Sequence, residues 1–149
     1  MKGYWNNPEA TAEVIKDGWF YSGDIGMLDE LGFLIILDRA KDIVIRGGEN
    51  IGCAEVEYAI SEHPEVSEVS VYGIPEERLG EMLCCSIMLQ AGSVLNSEQL
   101  TSFLSSRIAS FKIPERAFFQ YEQLPRIATG KIAKKELRKK TLEFLGVDA

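Results

Sequence analysis

A chain of 149 residues, 46% hydrophobic and 26% charged, has room for one compact domain or for a small domain with a further segment attached. Sixteen Lys and Arg against 23 Asp and Glu give a formal net charge of −7, so nothing global draws it to nucleic acid or an anionic membrane, and any polyanion site must be local. The longest apolar run, Met82 to Leu89 with Ser86 inside it, falls far short of the ~20 residues of a membrane-spanning helix.

The opening residues, Met1 to Pro8, carry neither the apolar stretch nor the small-residue cleavage site of a secretory signal, which points to the cytosol. Gly18, Gly23, Gly26 and Gly32 then punctuate short aromatic and aliphatic runs, which predicts two or three strands with a tight turn over Asp29 to Gly32. Such a meander is too small to stand alone. Charged residues crowd at Asp38, Arg39, Lys41 and Asp42, and a domain boundary is expected there, with one segment over 1–37 and another over 38–149. Ile43 to Ile45 is a β-branched strand ending at Gly47-Gly48. Val56, Ala59 and Ile60 recur at helical spacing from Ala54, and His63-Pro64 ends that helix.

Val66 to Ile74 alternates as a strand with Val69 and Val71 on one face, and Met82 to Leu89, apolar on both faces, reads as a central strand. Asn96 or Ser97 with Gln99 opens a helix in capping-box style, with Leu100, Phe103, Leu104 and Ile108 as its inner stripe. Ala117 to Phe119 is a further strand candidate, and Ala133 to Leu145 a basic amphipathic helix with Leu137 and Leu142 inward. The fold class expected is α+β, a small mixed sheet covered by about three helices and preceded by a short β segment. The three cysteines, Cys53, Cys84 and Cys85, are odd in number and lack a Cys-x-x-Cys spacing, so they form neither a disulfide framework nor a zinc site. They are expected to be small buried residues, His63 a helix cap, and no metal ligand set is assigned.

Three segments carry chemistry. In Tyr21-Ser22-Gly23-Asp24 a carboxylate follows a strand and a glycine; it can accept both hydroxyls of a ribose, or be a turn Asp bonding locally. From Asp38 to Ile51 the pair Gly47-Gly48 lets main-chain amides approach a ligand, or is simply a turn; it matches neither the phosphate-binding loop nor the dinucleotide fingerprint. In Leu124 to Ile132, Lys131 after Thr129-Gly130 can present an ammonium to a phosphate or carboxylate, although it also opens a basic run, Arg126 to Lys140, that could be a solvated helix face.

The order and intervals of these three segments resemble the adenylate-forming, AMP-binding superfamily over nearly the whole chain, and Arg46-Gly47-Gly48-Glu49-Asn50-Ile51 is similar to its fatty and medium-chain acyl-CoA synthetase branch. The resemblance implies that residues 1–37 end a large AMP-binding domain and that 38–149 form its mobile C-terminal lid. It implies Asp24 and Arg39 as nucleotide contacts and Lys131 as both nucleotide contact and catalytic ammonium between acyl carboxylate and α-phosphate. Asp38 and Lys41 become the hinge, and Arg46, Gly47, Gly48 and Glu49 the CoA-binding loop. The activity implied joins a carboxylic or fatty acid, ATP and CoA into acyl-CoA, AMP and diphosphate. ATP, CoA and Mg2+ serve the intact enzyme, and the large N-terminal domain is the partner. The family's serine- and glycine-rich triphosphate loop is absent, so a fragment, inactive and without bound cofactor when isolated, is expected. Cys53 stands where many members have proline, and Ile45 where luciferase-like members have lysine. A free-standing CoA-binding or subunit-docking module is the alternative. Nucleic-acid binding fits poorly, because the basic run has no interleaved aromatics.

Overall fold

In the computed structural model, which describes residues 1–146, the Asn7 side chain accepts the Ala10 amide at 3.0 Å and Pro8 occupies the first turn of α1 (Pro8–Val14). An Asx cap followed by proline is a helix start that the glycine-led reading of this region passed over. Two-residue strands β1 (Ile15–Lys16) and β2 (Trp19–Phe20) follow as an antiparallel pair. A longer hairpin pairs β3 (Asp24–Leu28) with β4 (Leu34–Arg39), its loop closed by Asp29, whose carboxylate accepts the Leu31 and Phe33 amides at 2.9 and 2.8 Å. Four short strands and a helix therefore stand where two or three strands were expected. This first unit ends at Lys41, and none of its residues is buried. The boundary read before Asp38 falls inside β4, which runs on to Arg39 because Arg39 is in register with Asp24.

The second unit begins at Asp42. Its elements are β5 (Ile43–Arg46), β6 (Glu49–Gly52), α2 (Cys53–Ser61), β7 (Val66–Glu76), β8 (Gly80–Leu89), α3 (Ser97–Leu104), β9 (Arg116–Gln120) and α4 (Lys134–Leu145). The sheet order is β6-β5-β8-β7, all antiparallel, with β9 lying parallel along Cys84 to Met88 of β8. It is thus the mixed sheet expected, with three helices over it. β8 is central: β7 takes one edge along its whole length, while β5 and β9 share the other.

Alternation along β8 explains its continuous apolar run. Leu83, Cys85 and Ile87 face one cluster, joined by Val56 and Ile60 of α2 and Leu100 and Leu104 of α3. Cys84 faces the other, with Tyr72, Leu124 and, from α4, Leu137 and Leu142. A strand covered on both faces is apolar on both, and the one polar residue in the run, Ser86, is matched by the Tyr72 hydroxyl at 2.8 Å. Each such aliphatic side chain contributes about 1.5–3 kcal/mol on burial. Asn96 and Gln99 form a reciprocal capping box at α3, as the sequence indicated. His63, expected as a cap, lies one residue past the actual C-cap of α2, Glu62; it is half-buried, its Nδ1 accepting the Glu65 amide at 3.2 Å and its ring set edge-on to Phe103. All three cysteines are buried and none is in a disulfide.

Candidate functional site

In the first unit the cross-strand register of β3 and β4 sets Asp24 opposite Arg39. Their side chains form an ion pair, Arg39 Nε to Asp24 Oδ1 at 3.0 Å, both partly exposed. Arg39 Nη2 also donates to the Ser22 carbonyl at 2.9 Å, and the Ser22 hydroxyl accepts the Asp24 amide at 3.1 Å. The two residues assigned to the nucleotide are therefore adjacent, on a hairpin whose remaining carboxylate oxygen is directed by one fixed guanidinium. An ionised carboxylate offers about four lone-pair sites, and one ion pair leaves capacity for hydroxyl donors. Asp38 accepts the Arg39 amide at 2.7 Å, and Lys41 is exposed in the single 3₁₀ turn Ala40–Asp42.

In the second unit β5 and β6 are joined by Gly47 and Gly48 alone, since Arg46 pairs with Glu49. Both glycines are left-handed, φ 59° and 88°, the geometry of a two-residue hairpin turn that follows strand twist. The Gly47 amide is already donated to the Leu79 carbonyl at 2.8 Å, so the approachable side of the turn is Gly48, around which there is open space. Arg46 turns inward: Nη2 pairs with Glu115 at 2.9 Å and Nη1 donates to the Phe111 carbonyl at 2.9 Å. Its guanidinium fastens the hairpin to the loop preceding β9, while Glu49 and Asn50 stay exposed.

Lys131 sits on a tight loop between Leu124, which is buried, and α4. Arg126 and Ile132 form an isolated antiparallel bridge that closes the loop, and Gly130 takes φ 85° at its tip. Five cations of the basic run have carboxylate partners: Arg126 with Glu68, Lys134 with Glu57, Arg138 with Glu81, Lys139 with Glu143 and Lys140 with Glu136. Among the described residues Lys131 enters no ion pair, and it is exposed. Lys135 is likewise exposed and outside any ion pair among the described residues, so two of the seven cations of the run, Lys131 and Lys135, present their charge outward.

The Lys131 loop and the Gly47-Gly48 turn lie toward opposite ends of β7. Arg126 fastens the first to Glu68, near the start of the strand, and Leu79 just beyond its end holds the second. Eight residues separate Glu68 from Glu76, about 26 Å at the usual strand rise. Spacing in sequence could not have found the partners Glu68, Glu81 and Glu115, because each meets its cation only through sheet topology. Among the described residues no cluster of three or more His, Cys, Asp or Glu is placed to hold a metal ion. No helix among them is long and apolar enough to cross a membrane.

The family model described as the AMP-binding enzyme C-terminal domain matches residues 55–131. The chain is 45% identical over 143 residues to a long-chain-fatty-acid–CoA ligase of Bacillus subtilis, covering 96% of this chain and 25% of the ligase. It is 44% identical to a 2-succinylbenzoate–CoA ligase of Geobacillus kaustophilus, over 93% of this chain and 28% of that enzyme. Among solved structures, ATP-bound MatB from Rhodopseudomonas palustris superposes with a TM-score of 0.86 at 35% identity, over 96% of this chain and 28% of that one. The chain thus spans about a quarter of the length of the curated relatives it matches.

Proposed function

The chain belongs to the AMP-binding enzyme C-terminal domain family of adenylate-forming enzymes, and on that premise we propose that it forms the C-terminal part of an ATP-dependent acyl-CoA synthetase. The reaction joins a carboxylic acid, ATP and CoA into acyl-CoA, AMP and diphosphate. Asp24, steadied by Arg39, holds the ribose hydroxyls. Lys131 lies between the acyl carboxylate and the α-phosphate, where an ammonium offsets the repulsion of two anions and the charge that grows as they join. After diphosphate leaves, a turn about Asp38 and Lys41 withdraws Lys131 and brings the Arg46 to Glu49 hairpin to the acyl-adenylate to admit the CoA thiol.

The observation that carries this reading is the placement of the Lys131 loop and the glycine hairpin at opposite ends of β7, so that one lid can offer either end but not both. The division of the chain between Lys41 and Asp42 supports the hinge assignment. The apolar side chains exposed on the β3–β4 hairpin, Leu28 and Ile36 on the strands and Phe33 in the loop among them, support assignment of the hairpin to a larger domain that supplies the acyl pocket. On this reading the 149-residue chain is inactive alone, and its three cysteines, none of them in a disulfide, suit the reducing cytosol.

The test separates the half-reactions in the synthetase that carries this segment. Lys131→Ala is expected to slow acid-dependent exchange of pyrophosphate into ATP by about 10²–10³-fold, while supplied acyl-adenylate and CoA still give thioester at the parental rate. The 149-residue chain assayed beside it should release no pyrophosphate. Equal loss in both half-reactions, or none in either, defeats the proposal.

A further inference from the structure

Among the described residues Arg126 reaches both the backbone of the Lys131 loop and the sheet. Its Nη1 donates to the Gly130 carbonyl at 2.6 Å, and its Nη2 pairs with the Glu68 carboxylate on β7. The Gly130 carbonyl belongs to the peptide plane that contains the Lys131 amide. The following plane is held separately, because the Ile127 amide donates to the Lys131 carbonyl at 2.9 Å. With both planes flanking its Cα fixed, the two soft dihedrals of Lys131 are fixed too, and so is the direction in which Cβ leaves the backbone.

The remaining contacts make the loop a rigid hairpin, but only with respect to itself. The Gly130 amide donates to the Ile127 carbonyl at 2.8 Å, and Ala133 to Pro125 at 2.7 Å. Glu68 supplies the external reference, since it stands on a strand paired along its whole length with β8. A guanidinium suits this task because its planar fork spans two acceptors in set directions, which a lysine ammonium on a flexible stem does not.

We infer that Arg126, braced by Glu68, is a positioning residue: it aims the Lys131 ammonium for adenylation and takes no part in thioester formation. The inference rests on the function proposed above for Lys131. Misplacing a catalytic group by about 1 Å can lower a rate 10²-fold, so a loop free to pivot is enough to slow the step.

Two measurements test it. In the 149-residue chain, Arg126→Met, which keeps a long apolar stem and removes the donors, should speed hydrogen exchange at the Ile127 and Gly130 amides at least tenfold and leave the paired amides of β7 and β8 unchanged. In the intact synthetase the same substitution should slow adenylation about 10- to 100-fold with thioester formation from supplied acyl-adenylate unaltered. Arg126→Lys should recover only part of the rate, and Glu68→Gln should fall between parent and Arg126→Met. Unchanged exchange at the loop amides, or equal slowing of both half-reactions, overturns the positioning role. So does an Arg126→Met enzyme that adenylates at the parental rate while Lys131→Ala does not, and in that case the reading of Lys131 survives. If Lys131→Ala itself adenylates normally, that functional reading fails and the positioning role fails with it.

Discussion

Glu57 accepts the Val71 amide at 2.8 Å and meets the Lys134 ammonium at 2.9 Å, so one carboxylate from α2 closes the open edge of β7 and ties it to α4 on the opposite face. Desolvation pulls the Lys134 pKa down, but the charge and hydrogen bond of Glu57 outweigh it and leave it raised above 10.5. The thiols beneath are displaced in the same direction. Burial, and then the Glu115 carboxylate, push Cys84 from 9.0 up to about 12; burial, and then Cys84 itself, push Cys85 higher. Burial likewise raises Tyr72 above 10.0, against hydrogen bonds at 2.8 Å to Ser86 and Thr141 that lower it. For each of these groups the unfolded chain loses its proton first. Their stabilisation is therefore complete below about pH 9 and is lost as pH climbs toward 12, at up to ~1.4 kcal/mol per pH unit for each thiol. Urea midpoints measured from pH 8 to 11 should be level at first and then fall steeply. Cys84→Ala should make the fall shallower, and a midpoint that holds level to pH 11 contradicts the assignment.

At the scale of elements the β5–β6 hairpin offers the sharpest contrast, because its two glycines share a backbone sign and differ in surroundings. A Cβ on Gly48 meets nothing within 4 Å, so Gly48→Ala should cost only the left-handed backbone, about 1 kcal/mol. A Cβ on Gly47 comes within 3.3 Å of Leu79 Cδ2 as well, so Gly47→Ala should be the more destabilising of the two in urea titration; the reverse order would mean that the turn is not held by Leu79. The hairpin also marks what could be read in advance. Ile43 to Ile45 announced a strand by β-branching, but Glu49 to Gly52 has no alternation, and β6 is a strand only because the turn returns it alongside β5. The run Met82 to Leu89 was legible because covering both faces leaves it uniformly apolar, and α3 because its cap is local. Candidate site residues followed the same division. Asp24, Gly47-Gly48 and Lys131 stand in short motifs, whereas the Asp24–Arg39 pair and the Glu68 brace arise from strand register and packing, which no local pattern encodes.

Over the whole molecule, apolar burial is distributed very unevenly. Every fully buried apolar side chain among the described residues lies at or beyond Val44, in the two clusters on either face of the five-stranded sheet or at their margins. Residues up to Lys41 bury none, and they leave Trp19 74%, Leu28 67%, Phe33 67% and Ile36 56% exposed. A sheet with both faces covered contains what cooperative folding needs, while a two-stranded hairpin is at best marginal in water. Contiguous exposed apolar surface also drives association. A chain cut to residues 42–149 should therefore unfold in urea as one cooperative step and sediment as a monomer at concentrations where the 149-residue chain associates. A peptide of residues 1–41 should show no cooperative transition. Loss of cooperativity in 42–149 would mean that the sheet depends on the preceding segment. Equal association of both chains would place the sticky surface on the sheet or its helices, away from the β3–β4 hairpin, and would remove the support that surface lends to a larger domain packing there.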